Sequence, residues 1–223
     1  MLNRILLVIA GLLLLSSFVQ ADPVLYTDAS SWAAATADVT TIDFNEVSFE
    51  QYYGGGGYSN GDLTVMGSSS YLFGWGPPEA QDFGTGNYLI GPYNSGATVT
   101  ETFSGENQAA GTDLGIYDAS GTHDYDFTTF DGDSVTGSVD IVDGSLAFVG
   151  IVADPGDWVT GLTITLPTQV GEGFGNIAVE NTAYGDSGVT TPEPGSLALL
   201  GSGMIGMASF LRRRFRSVAI SAN

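Results

Sequence analysis

The chain has 223 residues and a formal net charge of −20, from 25 carboxylates against 5 basic residues. The basic residues are Arg4, Arg212, Arg213, Arg214 and Arg216, so the roughly 170 residues between the ends, one domain of ordinary size, hold no lysine or arginine. That excludes internal Lys or Arg ion pairs there, and it excludes nucleic acid as a partner, whose phosphates need cationic side chains; the lack of cysteine excludes disulfides and thiolate sites.

In chain order, the first element is a secretory signal over residues 1–21. Arg4 gives a positive start, Ile5 to Leu15 is apolar with Gly11 its only gap, and a more polar stretch ends in Val19-Gln20-Ala21. The run is too short for a lasting anchor, and signal peptidase cleavage is expected before Asp22.

The domain expected over 22–185 opens with a helix at Ala29 to Ala37, favoured by its alanines and capped by Ser30 or Ser31. Short strands bounded by Gly, Asn, Asp or Pro follow at Thr40–Phe44, Leu63–Met66, Tyr71–Phe73, Tyr88–Ile90, Thr98–Phe103 and Asp113–Tyr117. Further strands are expected at Asp124–Phe130, Ser134–Ile141, Leu146–Val152, Gly161–Leu166 and Asn176–Tyr184. In Gly161 to Leu166 the apolar residues take one face and the threonines the other, the mark of a half-buried antiparallel strand. Many short strands with frequent turns predict an all-β fold, an antiparallel, jelly-roll-like β-sandwich.

Two loops carry aromatic residues. Gln51 to Asn60 has four consecutive glycines with Tyr52, Tyr53 and Tyr58 around them, and Gly74 to Gly86 holds Trp75. Exposed Tyr and Trp rings offer flat apolar faces to sugars, so these four are the candidate glycan-binding residues. The alternative is that they cover one end of the core.

Asp124, Asp126, Asp131 and Asp133 lie within ten residues. Side chains alternate along a strand, so Asp124 and Asp126 share a face. Asp131 and Asp133 fall in the next turn, from which they can fold back to form a calcium site, calcium being a hard cation that takes oxygen ligands. The alternative is a solvated face followed by an Asp-Gly turn. Asp154-Pro155-Gly156-Asp157 reads as a turn. His123 is the only histidine. It has no Gly-x-Ser-x-Gly elbow to accompany it and carries no catalytic assignment.

Residues 186–191 read as a flexible spacer. Pro192-Glu193-Pro194 then breaks the chain, residues 195–211 carry no charge, and Arg212, Arg213 and Arg214 follow at once. As a helix the uncharged run spans about 25 Å, within the lower tolerance for a transmembrane segment. The arginines would keep its C-terminal side, with the tail 217–223, in the cytoplasm. Motif, apolar helix and basic cluster in this order over 192–216 resemble the PEP-CTERM sorting signal. That resemblance implies processing by exosortase, transient anchoring in the inner membrane, and a setting of exopolysaccharide and biofilm. The expected function is an exported surface or extracellular protein without catalysis, associated with polysaccharide. The alternatives are a calcium-stabilised carbohydrate-binding module and a secreted hydrolase.

Overall fold

The computed structural model describes residues 22–76, 83, 86–92, 96–117, 120–166 and 176–188. The expected signal peptide, the Pro192-Glu193-Pro194 motif, the 195–211 helix and Arg212–Arg214 lie outside the described residues.

A short helix, α1 (Ala29–Ala34), follows the first strand, β1 (Val24–Tyr26). Then come β2 (Thr36–Ile42), β3 (Tyr58–Asn60), β4 (Leu63–Gly67), β5 (Phe73–Trp75), β6 (Tyr88–Ile90) and β7 (Thr98–Phe103). The second half holds β8 (Ala109–Tyr117), β9 (Gly121–Thr129), β10 (Ser134–Ile141), β11 (Leu146–Val152), β12 (Val159–Thr165) and β13 (Asn176–Ser187). Among the described residues these form two antiparallel sheets. One runs β1-β11-β8-β13-β6-β5, with β2 also pairing β13; the other runs β10-β9-β12-β7-β4-β3. The chain crosses repeatedly between sheets from β7 onward, so the expected sandwich is the fold observed.

Period-2 patterning builds the interior. On β12, Leu162 and Ile164 point into the core while Thr163 and Thr165 point out. Leu63, Val65, Val99, Leu114, Phe127, Ile151 and Val179 join them in one contiguous core between the sheets. Each such side chain contributes about 1.5–3 kcal/mol through its burial. Gly137 is set by close approach: a Cβ there would lie 2.4 Å from the Tyr125 ring.

The expected bounds of β6, β7, β10 and β11 match the structure. Helix α1 departs from expectation at both ends. Its cap is Asp28, whose Oδ1 accepts from the Ser31 N–H at 2.8 Å, and not Ser30 or Ser31. It stops at Ala34 because Thr36 and Ala37 are already paired with β13; tertiary pairing overrides alanine's helix preference. Strand β5 lies two residues later than expected, because Ser69 and Ser70 adopt positive φ in a tight turn that places Tyr71 before the strand. Strands β1 and β3 were not expected.

Candidate functional site

The four aromatic candidates do not form one surface. Tyr52 and Tyr53 are neighbours, but the backbone turns at Tyr53 (φ −96°, ψ −18°) into the tight turn Gly54–Gly56, and their rings part. Tyr53 goes inward, edge-to-face on Tyr58 with ring centroids 5.5 Å apart. Tyr58 itself is only 5% exposed and belongs to the core, which corrects its assignment as a contact residue. Its hydroxyl donates to the Glu46 carboxylate, which also accepts from Asn60 Nδ2 at 2.7 Å. That hydroxyl bond holds Glu46 below the usual carboxylate range, and burial pushes the Tyr58 phenol up.

Tyr52 points the other way and is 59% exposed. It pairs by an isolated bridge with Phe73 and lays its ring against it, centroids 4.9 Å apart. Its hydroxyl donates to the Ser70 carbonyl at 2.9 Å, which fixes the ring. Phe73 in turn meets Tyr71 at 4.7 Å. Two residues along the same edge strand, Trp75 meets Phe49 at 4.7 Å. Tyr52, Phe73, Tyr71, Trp75 and Phe49 therefore make an aromatic strip on the outer side of the β5 edge. Tyr88, Ile90 and Phe83 pack behind Trp75 and Tyr71. The Trp75 indole N–H is buried and finds no acceptor among the described residues. Phe73, Tyr71 and Phe49 were not singled out from sequence. The odd-numbered parity of 71, 73 and 75 is the signal that joins Tyr71 and Phe73 to Trp75.

The acidic candidates also separate. Asp124 and Asp126 share the outer face of β9 as expected, opposite Ser138 and Thr136 on β10 and Thr165 and Thr163 on β12. Asp126 accepts from Ser134 Oγ at 2.7 Å. A shallow depression of about 430 Å³ lies here, lined by Asp124, Asp126, Thr136, Ser138 and Thr165 over the backbone of Tyr125 and Gly137. Asp131 does not fold back toward it. Its Oδ1 accepts from Thr129 Oγ1 at 2.8 Å and from the Asp133 N–H at 3.3 Å, closing its own turn. The Thr129 bond in particular holds its carboxyl below the usual range. Among the described residues no three His, Cys, Asp or Glu side chains converge as a metal-binding group.

His123 lies on the inner side of β9, buried, and burial lowers its pKa. Asp154 to Asp157 forms the expected turn, with the Asp157 N–H donating to the Asp154 carbonyl at 3.0 Å and Gly156 at φ 92°.

Sequence reasoning missed one pair. Phe130, 62% exposed, stacks on Trp158 with centroids 3.9 Å apart and planes 21° from parallel. The Phe130 N–H donates to the Trp158 carbonyl at 3.0 Å. Asp157 Oδ1 accepts from the Trp158 N–H at 2.9 Å and the Asp131 N–H at 3.4 Å. Phe130 opens the turn after β9 and Trp158 follows the Asp154 to Asp157 turn, but only the fold sets the two turns side by side.

An acidic β-sandwich with aromatic surfaces and no converging metal-binding group among its described residues defines a class of domain, not a protein. What lies beside the domain is more specific: residues 190–214 match the PEP-CTERM protein-sorting motif. The match takes in Pro192, Glu193, Pro194 and Arg212 to Arg214, and marks the chain as an exported protein sorted to the cell surface. No curated protein matches the chain. Among solved structures it is similar to a mutant of a family 29 carbohydrate-binding module at 12% identity, covering 70% of this chain and 99% of that one, TM-score 0.41. A structure of TmCBM61 in complex with β-1,4-galactotriose shares 7% identity over 57% of this chain and 90% of that one, TM-score 0.32. A family 6 carbohydrate-binding module shares 13% identity over 66% and 94%, TM-score 0.31. Likenesses of this depth carry no weight for function.

Proposed function

We propose that this protein is a non-catalytic component of the cell surface or its extracellular matrix, and that it holds extracellular polysaccharide through the strip formed by Tyr52, Phe73 and Tyr71 with Trp75 and Phe49. The observation that carries the reading is the exposed Tyr52 ring, fixed against Phe73 and held at its hydroxyl by Ser70. A rigid flat ring meets the C–H face of a pyranose at little cost in conformational entropy. Export and sorting deliver the domain to where such polymers are. Signal peptidase frees Asp22, the uncharged segment 195–211 holds the precursor in the inner membrane, and exosortase acts at the Pro192-Glu193-Pro194 motif.

Two measurements test the reading. In affinity electrophoresis against soluble polysaccharides, Tyr52→Ala is expected to weaken binding about tenfold, the equivalent of a lost stacking contact. Its melting temperature should fall only slightly, since the ring is 59% exposed and the loss is confined to the Phe73 contact and the Ser70 bond. Wild-type retardation of the variant in every polysaccharide that retards the parent would remove the strip from consideration. The intact mass of the exported protein is expected to begin at Asp22 and to lack Arg212 to Arg216; an extracellular form that retains those arginines contradicts the sorting step.

A further inference from the structure

On the opposite side of the sandwich, parity along β9 places Asp124, Asp126 and Thr128 on one outer face, and Phe130 follows at the strand's end. From Asp124 to Phe130 this track measures roughly 20 Å at the usual rise of a strand. One end is the stacked pair of Phe130 and Trp158, a flat apolar platform standing in water. The other end is the shallow depression between Asp124, Asp126, Thr136, Ser138 and Thr165. Between them the outward side chains are hydroxyls, Thr128 opposite Ser134 and Thr163 opposite Asp126.

We infer that this face is a second glycan site, distinct from the Tyr52 strip, and that it takes a neutral polysaccharide strand lying along β9. Three features select that occupant. The platform is preorganised: Asp157 and the bond between Phe130 and Trp158 lock the two turns, so little ordering is left for binding to cost. The depression offers carboxylate acceptors beside hydroxyls, the complement of a surface rich in hydroxyl donors. The surrounding domain carries 24 carboxylates, all of the chain's 25 but Glu193, with no lysine or arginine, so acidic polymers and phosphates are repelled. The track accommodates several sugar rings in line. Combined with the strip on the other sheet, it makes the domain bivalent, bridging two polymer strands. This bridging step rests on the reading of the Tyr52 strip; the second site does not.

The experiment uses the exported protein in affinity electrophoresis against a neutral β-glucan, galactan and mannan, with alginate as the acidic polymer. A parallel assay follows clumping of beads coated with whichever neutral polymer binds. Phe130→Ala and Asp126→Asn both alter exposed or half-exposed side chains and are expected to fold. Each is expected to weaken binding about tenfold at the second site and to abolish clumping, while residual binding persists through the strip. Combining Phe130→Ala with Tyr52→Ala should weaken binding further than either change alone, by about tenfold overall. If Phe130→Ala and Asp126→Asn bind and clump as the parent does, the second site is overturned. If Tyr52→Ala has no effect but Phe130→Ala removes all binding, the second site stands and the strip does not. Alginate binding as tight as that of any neutral polymer overturns the choice of occupant.

Discussion

Glu101 is a buried carboxyl with no cationic partner. It lies on β7 with no exposed surface, inside the space between the sheets. Its Oε1 accepts from Thr182 Oγ1 at 2.8 Å and Thr112 Oγ1 at 3.2 Å, while Oε2 accepts nothing among the described residues. Burial raises its pKa from 4.5 to about 7, against the opposing pull of the two threonines. A raised carboxyl pKa means the folded state binds the proton more tightly than the unfolded chain. The contribution of Glu101 to stability is therefore full below pH 4.5, falls as the pH rises to about 7, and levels off above. The swing is on the order of 3 kcal/mol. Calorimetry between pH 5 and 8 should show the melting temperature falling with pH, and Glu101→Gln should lose most of that slope; an unchanged slope contradicts the assignment. Glu101 was readable in principle. Val99 and Phe103 point inward, so the residue between them on the same face must too. What the sequence does not contain is the pair of threonines that receives it, 11 and 81 residues further along.

At the scale of elements, the split between legible and illegible follows the range of the determining interaction. Strands β7, β10 and β12 carry their own alternation, and a reader of Thr163-Ile164-Thr165 needs no other part of the chain. Strands β1 and β3 are three residues each and exist because of a partner: Leu25 opposite Ile151, and Tyr58 opposite Val65. The same rule governs the surfaces. Asp124 and Asp126 share a face through local geometry, whereas Phe130 meets Trp158 only through tertiary contact. Helix α1 shows both kinds of determinant. Asp28 caps it locally, and Trp32 docks it, nearly fully buried, with its Nε1 donating to the Ile151 carbonyl at 3.1 Å. Trp32→Ala is expected to cost about 3–5 kcal/mol, the usual loss for a buried large aromatic, and Asp28→Ala much less. Chemical denaturation distinguishes them, and a cap variant as damaging as the tryptophan variant would mean the helix is held by its end and not by its face.

At the scale of the molecule, a domain with two dozen carboxylates and no lysine or arginine responds to salt in one direction. Added sodium chloride screens repulsion among the acids, and there is no surface Lys or Arg pair whose attraction it weakens at the same time. The melting temperature at pH 8 should rise steadily with ionic strength; a fall on the same titration contradicts this. Added calcium, compared at equal ionic strength, should give no further rise, because Asp131 is spent on its own turn and not aimed at Asp124 and Asp126.

Strand β13 is bonded to β8 along one side and to β6 and then β2 along the other. The chain passes from its end at Ser187 to the sorting motif at 190–214. Tension entering there along the strand axis loads the flanking hydrogen bonds in parallel. They must yield together in shear, unlike those of an edge strand, which peel one at a time. Tension applied at Ser187 is thereby borne by a strand bonded along both sides, and the rate of forced unfolding, not equilibrium stability, sets how long the domain withstands it.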